Sequence, residues 1–80
     1  MQQEYPTGTI FRHYKGNLYQ FLYIARHSET LEELVVYKAL YGDRGIWVRP
    51  ATMFFGTVLH NEAAVPRFAI DNQAQATEPE

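Results

Sequence analysis

The chain contains no cysteine, which excludes disulfides, thiolate nucleophiles and cysteine-held zinc. No apolar run approaches the ~20 residues that cross a bilayer as a helix, so no membrane contact is expected. No glycine-rich phosphate loop occurs either. Gly42 and Gly45 bracket a turn, and no Lys-Ser or Lys-Thr pair follows them. Excess charge is also lacking: the formal net charge is −2. The last ten residues, from Asp71 to Glu80, hold three carboxylates and no cation. The body therefore sets seven cations against six carboxylates, a balance too even for a dedicated duplex-DNA binder. The opening Met1-Gln2-Gln3-Glu4-Tyr5-Pro6 has neither the basic start nor the apolar stretch of a signal peptide. Together with the missing cysteine this gives the expectation of a cytoplasmic protein.

Apolar and aromatic side chains are plentiful. The hydrophobic fraction of 46% and the aromatic fraction of 15% are enough to fold the body of an 80-residue chain around one core. Residues 1–70 read as a single small domain and residues 71–80 as a disordered acidic tail. Within the domain, the first strand is expected over Thr9–Tyr14 and is ended by the turn composition of Lys15-Gly16-Asn17. The second covers Leu18–Arg26. Tyr19, Phe21, Tyr23 and Ala25 alternate with Leu18, Gln20, Leu22, Ile24 and Arg26, and both sets are largely apolar. That strand is therefore central, or bulged so that it feeds both faces.

Residues 31–41 admit two readings. Thr30 and Glu33 have capping-box spacing, and Leu31, Leu34 and Val35 recur at helical intervals. Against a helix, Lys38 falls on the apolar stripe, and Val35-Val36-Tyr37 is β-branched and aromatic. A strand over Glu33–Tyr41 is preferred. A hairpin turn at Gly42–Gly45, a strand over Ile46–Arg49 and a helical turn from Pro50 to Phe55 stopped by Gly56 come next. A strand over Thr57–His60, a polar turn at Asn61-Glu62, and a last edge strand over Val65–Ile70 complete the body. The expected fold class is all-β: a small, strongly bent SH3-like barrel of five to six antiparallel strands with one short helical turn.

What sets the sequence apart is where its cations fall. Phe11-Arg12-His13-Tyr14-Lys15, Tyr23-Ile24-Ala25-Arg26-His27, Trp47-Val48-Arg49-Pro50 and Pro66-Arg67-Phe68 each place a cation or histidine beside an aromatic or a proline. A tight turn at Gly42–Gly45 would pair Tyr41 with Ile46, Leu40 with Trp47, Ala39 with Val48 and Lys38 with Arg49. One face would then be Tyr37, Ala39, Tyr41, Ile46 and Val48. The other would set Lys38 directly against Arg49 beside Trp47, an unfavourable pairing unless an anion lies between the two. The plain alternative is that both heads reach into water while their stems cover Trp47 and Leu40.

The runs His13-Tyr14-Lys15-Gly16, Ala25-Arg26-His27-Ser28-Glu29-Thr30, Val35-Val36-Tyr37, Leu40-Tyr41, Trp47-Val48-Arg49-Pro50, Phe54 and Val65-Pro66-Arg67-Phe68 follow one another in the order seen in a small bacterial family. Over about residues 8–69 the chain resembles domain-of-unknown-function family 1653. The resemblance implies a compact stand-alone bacterial domain and gives weight to the basic-aromatic blocks. It carries no activity and no site residues. One departure is Ile10-Phe11, where the family has a Tyr before Arg-His-Tyr, an exchange within the core.

Several chemistries can be weighed against simpler readings. His27-Ser28-Glu29 holds the residue types of a hydrolase triad, but sequence neighbours point apart, and no strand-turn-helix elbow surrounds Ser28. Ser28 and Thr30 suit backbone hydrogen bonding in a loop. His13, His27 and His60 match no metal spacing, so no metal site is expected. Glu32 and Glu33 are adjacent and face opposite ways along a strand, unlike a glycosidase pair. No cofactor motif is present. The preferred reading is a non-enzymatic binding module whose site is centred on Lys38, Trp47 and Arg49. Arg12, Arg26 and Arg67 would be further cations, and Tyr14 and His27 rim contacts. Its partner would be an anionic ligand, an acidic peptide or a single-stranded nucleic acid. Two alternatives stand beside it: a small hydrolase or transferase using His27 and Glu29, and a structural or oligomerisation domain.

Overall fold

Two β-branched and aromatic runs form the centre of the molecule. In the computed structural model, which describes residues 5–71, they are the longest strands, β2 (Leu18–Arg26) and β3 (Glu33–Ala39). β1 (Ile10–His13) precedes them. β4 (Ile46–Pro50), the one-turn helix α1 (Ala51–Phe54), β5 (Thr57–His60), β6 (Ala63–Pro66) and β7 (Phe68–Ile70) follow. Five strands make one antiparallel sheet in the order β4-β3-β2-β1-β7, and β5 pairs with β6 in a separate ribbon. Residues 33–39 are thus strand, the preferred of the two readings. Val35 and Tyr37 both lie in the core, where an extended backbone presents them together.

The core is an aromatic layer on one face of the large sheet. Phe11, Phe21, Val35 and Tyr37 project from β1, β2 and β3, and Phe54 of α1 and Phe68 of β7 close over them. Phe54 lies flat on Phe68, with ring centroids 4.1 Å apart and an angle of 7° between planes. Phe21, Val35 and Phe54 are fully buried. Burying a side chain of this size stabilises by about 1.5–3 kcal/mol, so a one-turn helix that supplies Phe54 is a structural element in its own right. Gly56 ends it by necessity, because a Cβ there would stand 2.7 Å from the Thr52 carbonyl oxygen.

β2 feeds both faces, as its doubly apolar pattern foretells. Phe21 pairs with Tyr37 but Tyr23 pairs with Val36, so the register slips at Leu22. Before this bulge Tyr19 and Phe21 face the core; after it Ile24 does, and Tyr23 turns outward, 57% exposed.

The fold departs from the expectations in four places. First, no barrel closes: among the described residues no ladder joins β4 to β7, and β5–β6 stands apart as a ribbon. Second, the stretch expected as one last strand is two. It breaks at Arg67, so that Ala63–Pro66 pairs with β5 and Phe68–Ile70 with β1. Pro66 still falls on a strand with a free edge, where its missing N–H is harmless. Third, Asp71 belongs to the domain, because its N–H donates to the Ile10 carbonyl (2.9 Å). The remainder of the expected tail, residues 72–80, lies outside the described residues.

The fourth departure concerns the β3–β4 hairpin and matters most. The turn forms at Tyr41–Arg44, where the Arg44 N–H donates to the Tyr41 carbonyl (3.0 Å). Gly42 and Arg44 both adopt positive φ, at 60°. Leu40 has already left the hairpin, and its N–H donates to Leu18 of β2 (3.0 Å). Residues 40–45 thus form a longer connection than a tight turn. Lys38 consequently faces Ile46, not Arg49, while Tyr37 faces Trp47 and Val35 faces Arg49. A slip of three residues is odd, so it exchanges the faces of β4 relative to β3.

Candidate ligand-binding face

This exchange puts Trp47 and Arg49 on the core side of β4 and leaves Lys38, Ile46 and Val48 on the outer side. The expected face of Lys38 opposite Arg49 does not form. Lys38 instead pairs with Gln20 on one side and Ile46 on the other. Ile46 and Val48, expected in the core, are 56% and 58% exposed.

Arg49 is half-buried at the margin of the aromatic layer. Its guanidinium lies 5.7 Å from the centroid of the Phe68 ring, and its Nε donates to the Tyr37 hydroxyl (3.3 Å). No carboxylate among the described residues makes an ion pair with it; the one ion pair found there joins Arg12 to Asp71. Trp47 stands two residues earlier on the same face and is 57% exposed.

His13 stands at the other side of this margin. Its ring meets Phe68 edge-on at 4.9 Å, Tyr14 at 4.5 Å and Tyr19 at 6.2 Å. Its Nδ1 accepts the Lys15 N–H (3.1 Å), so its free donor is Nε2. Burial holds the His13 pKa below its ordinary 6.5, and the positive charges of Arg49, Arg67 and Lys15 push in the same direction. Three cations thus bear on one imidazole, and among the described residues no carboxylate offsets them there. Arg67 is held in place by its own Nε, which donates to the Met53 carbonyl (3.1 Å). Its backbone is fastened too: its N–H reaches Gly56, and its carbonyl accepts from Tyr14 (2.9 Å each). Tyr14 continues the rim, with Lys15 Nζ 5.9 Å above its ring and His60 5.3 Å away. On the Trp47 side, Tyr19 and Tyr41 share a hydrogen bond of 2.8 Å. Burial, and then that bond, raises the Tyr19 pKa well above its ordinary value.

Of the residues singled out in the sequence, the structure gathers Trp47, Arg49, Arg67 and Tyr14 along this margin. The other four lie elsewhere. Lys38 is on the outer face. Arg12 is held there by Asp71 (2.7 Å), and its Nη1 donates to the Gly16 carbonyl (2.9 Å). Arg26 is exposed at the end of β2 opposite Glu33. His27 is exposed in the β2–β3 loop, where its Nδ1 accepts the N–H groups of Glu29 (3.1 Å) and Thr30 (3.3 Å). Its ring thus works as a fastener for the loop backbone.

Sequence reasoning missed His13, Lys15, Tyr37 and Phe68 as members. One sequence signal did point to them: His13-Tyr14-Lys15 and Arg67-Phe68 are two of the four basic-aromatic blocks, and β1 and β7 lie side by side. Among the described residues no three His, Asp or Glu side chains converge as a metal site would require.

The model of the family described as "Protein of unknown function (DUF1653)" matches residues 9–70. A crystal structure of a DUF1653 protein from Bordetella bronchiseptica superposes over 100% of both chains with a TM-score of 0.73 and 35% sequence identity. No curated protein matches the chain.

Proposed function

The chain belongs to the DUF1653 family, and we propose that it is a non-enzymatic binding module that takes an anionic ligand at the Arg49–His13 margin of its aromatic core. The observation that carries this reading is the setting of Arg49. A half-buried guanidinium is held by an aromatic ring and a phenol, with two further cations bearing on the histidine beside it and, among the described residues, no carboxylate in ion-pair reach. Arg49 keeps its two terminal amino groups for a carboxylate or phosphate, which a guanidinium grips in a planar fork. Trp47 offers a flat exposed surface to an apolar or ring-bearing part of the same ligand.

Binding an anion here supplies the charge the site lacks. It also favours the imidazolium form of His13, so affinity for a fully ionised ligand should rise as pH falls below 6.5.

Trp47 is the chain's single tryptophan, so its fluorescence reports on the site directly. Titration with citrate, a nucleoside monophosphate, oligothymidylate and a glutamate-rich peptide separates a small anion from a nucleic acid or a peptide. Saturable quenching that disappears in Arg49→Gln and persists in Lys38→Gln supports the reading. Quenching equal in both variants overturns it. The alternative of a hydrolase using His27 and Glu29 has less support, because His27 Nδ1 already accepts the Glu29 backbone amide.

A further inference from the structure

Among the described residues the sheet is open at β4, and Arg49 and Pro50 guard only the end of that edge. The Ala39 N–H donates to the Gly45 carbonyl (2.9 Å), which sets the alternation of the β3–β4 ladder. By that alternation the backbone groups of Trp47 and Arg49 point into the sheet, toward Tyr37 and Val35. Those of Ile46 and Val48 point outward, and among the described residues neither makes a backbone bond beyond the sheet. Ile46, Trp47 and Val48 are also 56%, 57% and 58% exposed. Sheet proteins commonly guard such an edge with charged side chains, proline, a bulge or a covering loop, and over Ile46–Val48 β4 has no charge or proline. Here three consecutive apolar residues stand uncovered.

We propose that β4 is a homodimer interface, in which two copies of this chain pair their β4 edges antiparallel about a two-fold axis through Val48. The strand is complementary to itself in this register. Val48 meets the partner's Val48 and exchanges backbone hydrogen bonds with it. Ile46 meets the partner's Pro50, whose missing N–H lies at the end of the paired stretch. On the core side Trp47 stands against the partner's Arg49, an aromatic beside a cation, and the same contact recurs across the axis. No like charges oppose each other.

The outer face supports the same axis. Tyr23, Val36 and Val48 lie in one row across β2, β3 and β4 and stop at the free edge. The two-fold continues that row into the partner's Val48, Val36 and Tyr23, so that an interrupted apolar stripe becomes a continuous one. A two-fold contact of this kind uses one patch twice and closes without growing into a fibre. The inference goes beyond the binding reading and does not rest on it: the backbone of Ile46 and Val48 carries the pairing, while Trp47 and Arg49 of the same strand border both surfaces.

The missing cysteine makes the test clean. In an antiparallel hydrogen-bonded pair the Cα atoms are about 5.5 Å apart, within the roughly 4.4–6.8 Å span of a disulfide. Val48→Cys should therefore give a disulfide-linked dimer in a glutathione buffer. Trp47→Cys should not, since its two copies would be about 8 Å apart, offset by two residues along the strands. Sedimentation equilibrium should show twice the chain mass for the unmodified protein and the single-chain mass for Val48→Pro. That variant removes an outward N–H and breaks no hydrogen bond within the sheet, while fixing φ and replacing the Val48 side chain, and a circular dichroism spectrum matching the parent checks that it is folded. A monomer at every concentration overturns the proposal. So does a dimer that persists in folded Val48→Pro, or crosslinking through position 47 in place of 48. Because Arg49 borders both surfaces, weakened ligand quenching in Arg67→Gln with the dimer intact is the result that would separate this interface from the binding site.

Discussion

Arg12 and Arg49 sit on opposite faces of the same sheet, in surroundings of different kinds. Arg12 is on the outer face, bound to Asp71 at 2.7 Å and to the Gly16 carbonyl. Its charge is answered from within the chain. Arg49 is on the core side, where its neighbours are a phenol and an aromatic ring, and no ion pair reaches it among the described residues. Both arginines sit in the basic-aromatic blocks that mark the sequence, so the blocks do not by themselves identify a site. What separates them is which charges the fold leaves unanswered.

The contrast can be broken most severely at its foundation. Phe54→Ala removes the ring that lies on Phe68, the ring that in turn supports Arg49. The expected loss is about 3–5 kcal/mol, a large part of the stability of so small a domain, read as a fall in the urea midpoint.

A sharper cut leaves the fold in place. Arg49→Gln should weaken binding of the best ligand of the fluorescence series at least about tenfold, the scale of a lost charge-assisted hydrogen bond. Arg12→Gln should leave affinity within about twofold, since that side chain is turned to the other face and already paired.

The two faces should also part under titration. The His13 pKa is held below 6.5 in the folded protein, so the unfolded chain binds the extra proton more readily. Stability from this group is fully present above pH 6.5 and is lost as pH falls from 6.5 toward the depressed folded value. His13→Asn keeps an acceptor for the Lys15 N–H but cannot titrate. Urea midpoints measured from pH 8 to pH 5 should decline less for this variant than for the parent.

The smallest effect belongs to the outer pair. Arg12→Ala should cost no more than about 1 kcal/mol, because Arg12 is half exposed and an exposed ion pair is screened by water and salt. A much larger loss would mean that the outer pair carries structural weight and would weaken the contrast.

Much of this architecture was legible in the sequence, because it depends on neighbours along the chain. β2 has the expected bounds of Leu18–Arg26, and its two apolar sets foretold a bulge or a central position. Asn61 and Glu62 form the expected turn, both with positive φ, as a two-residue hairpin between strands of right-handed twist requires. The β3–β4 register was not legible. It is fixed by contacts distant in sequence: Leu40 bonds to Leu18, and Tyr41 bonds to Tyr19. These draw the end of β3 toward β2 and lengthen the connection. The site inherited that error through parity alone. Arg49 and Trp47 remained together, Lys38 moved to the other face, and Tyr37 and Phe68 entered as partners. The break at Arg67 was hidden for a similar reason, since only the pairing of Phe68 with His13 shows that one run of sequence serves two sheets.

The pairing of β1 with β7 has a consequence for how the chain folds. It joins the first strand to the last, and Arg12 and Asp71 meet across a separation of 59 residues. The sheet therefore cannot be completed until nearly the whole chain has been drawn into a loop, a slow step in an otherwise hairpin-rich topology. The same pairing brings the two ends of the domain side by side. A circular permutant that links them and opens the chain at Asn61–Glu62 would turn this longest contact into a local hairpin. Such a chain should reach the same structure faster than the natural order does.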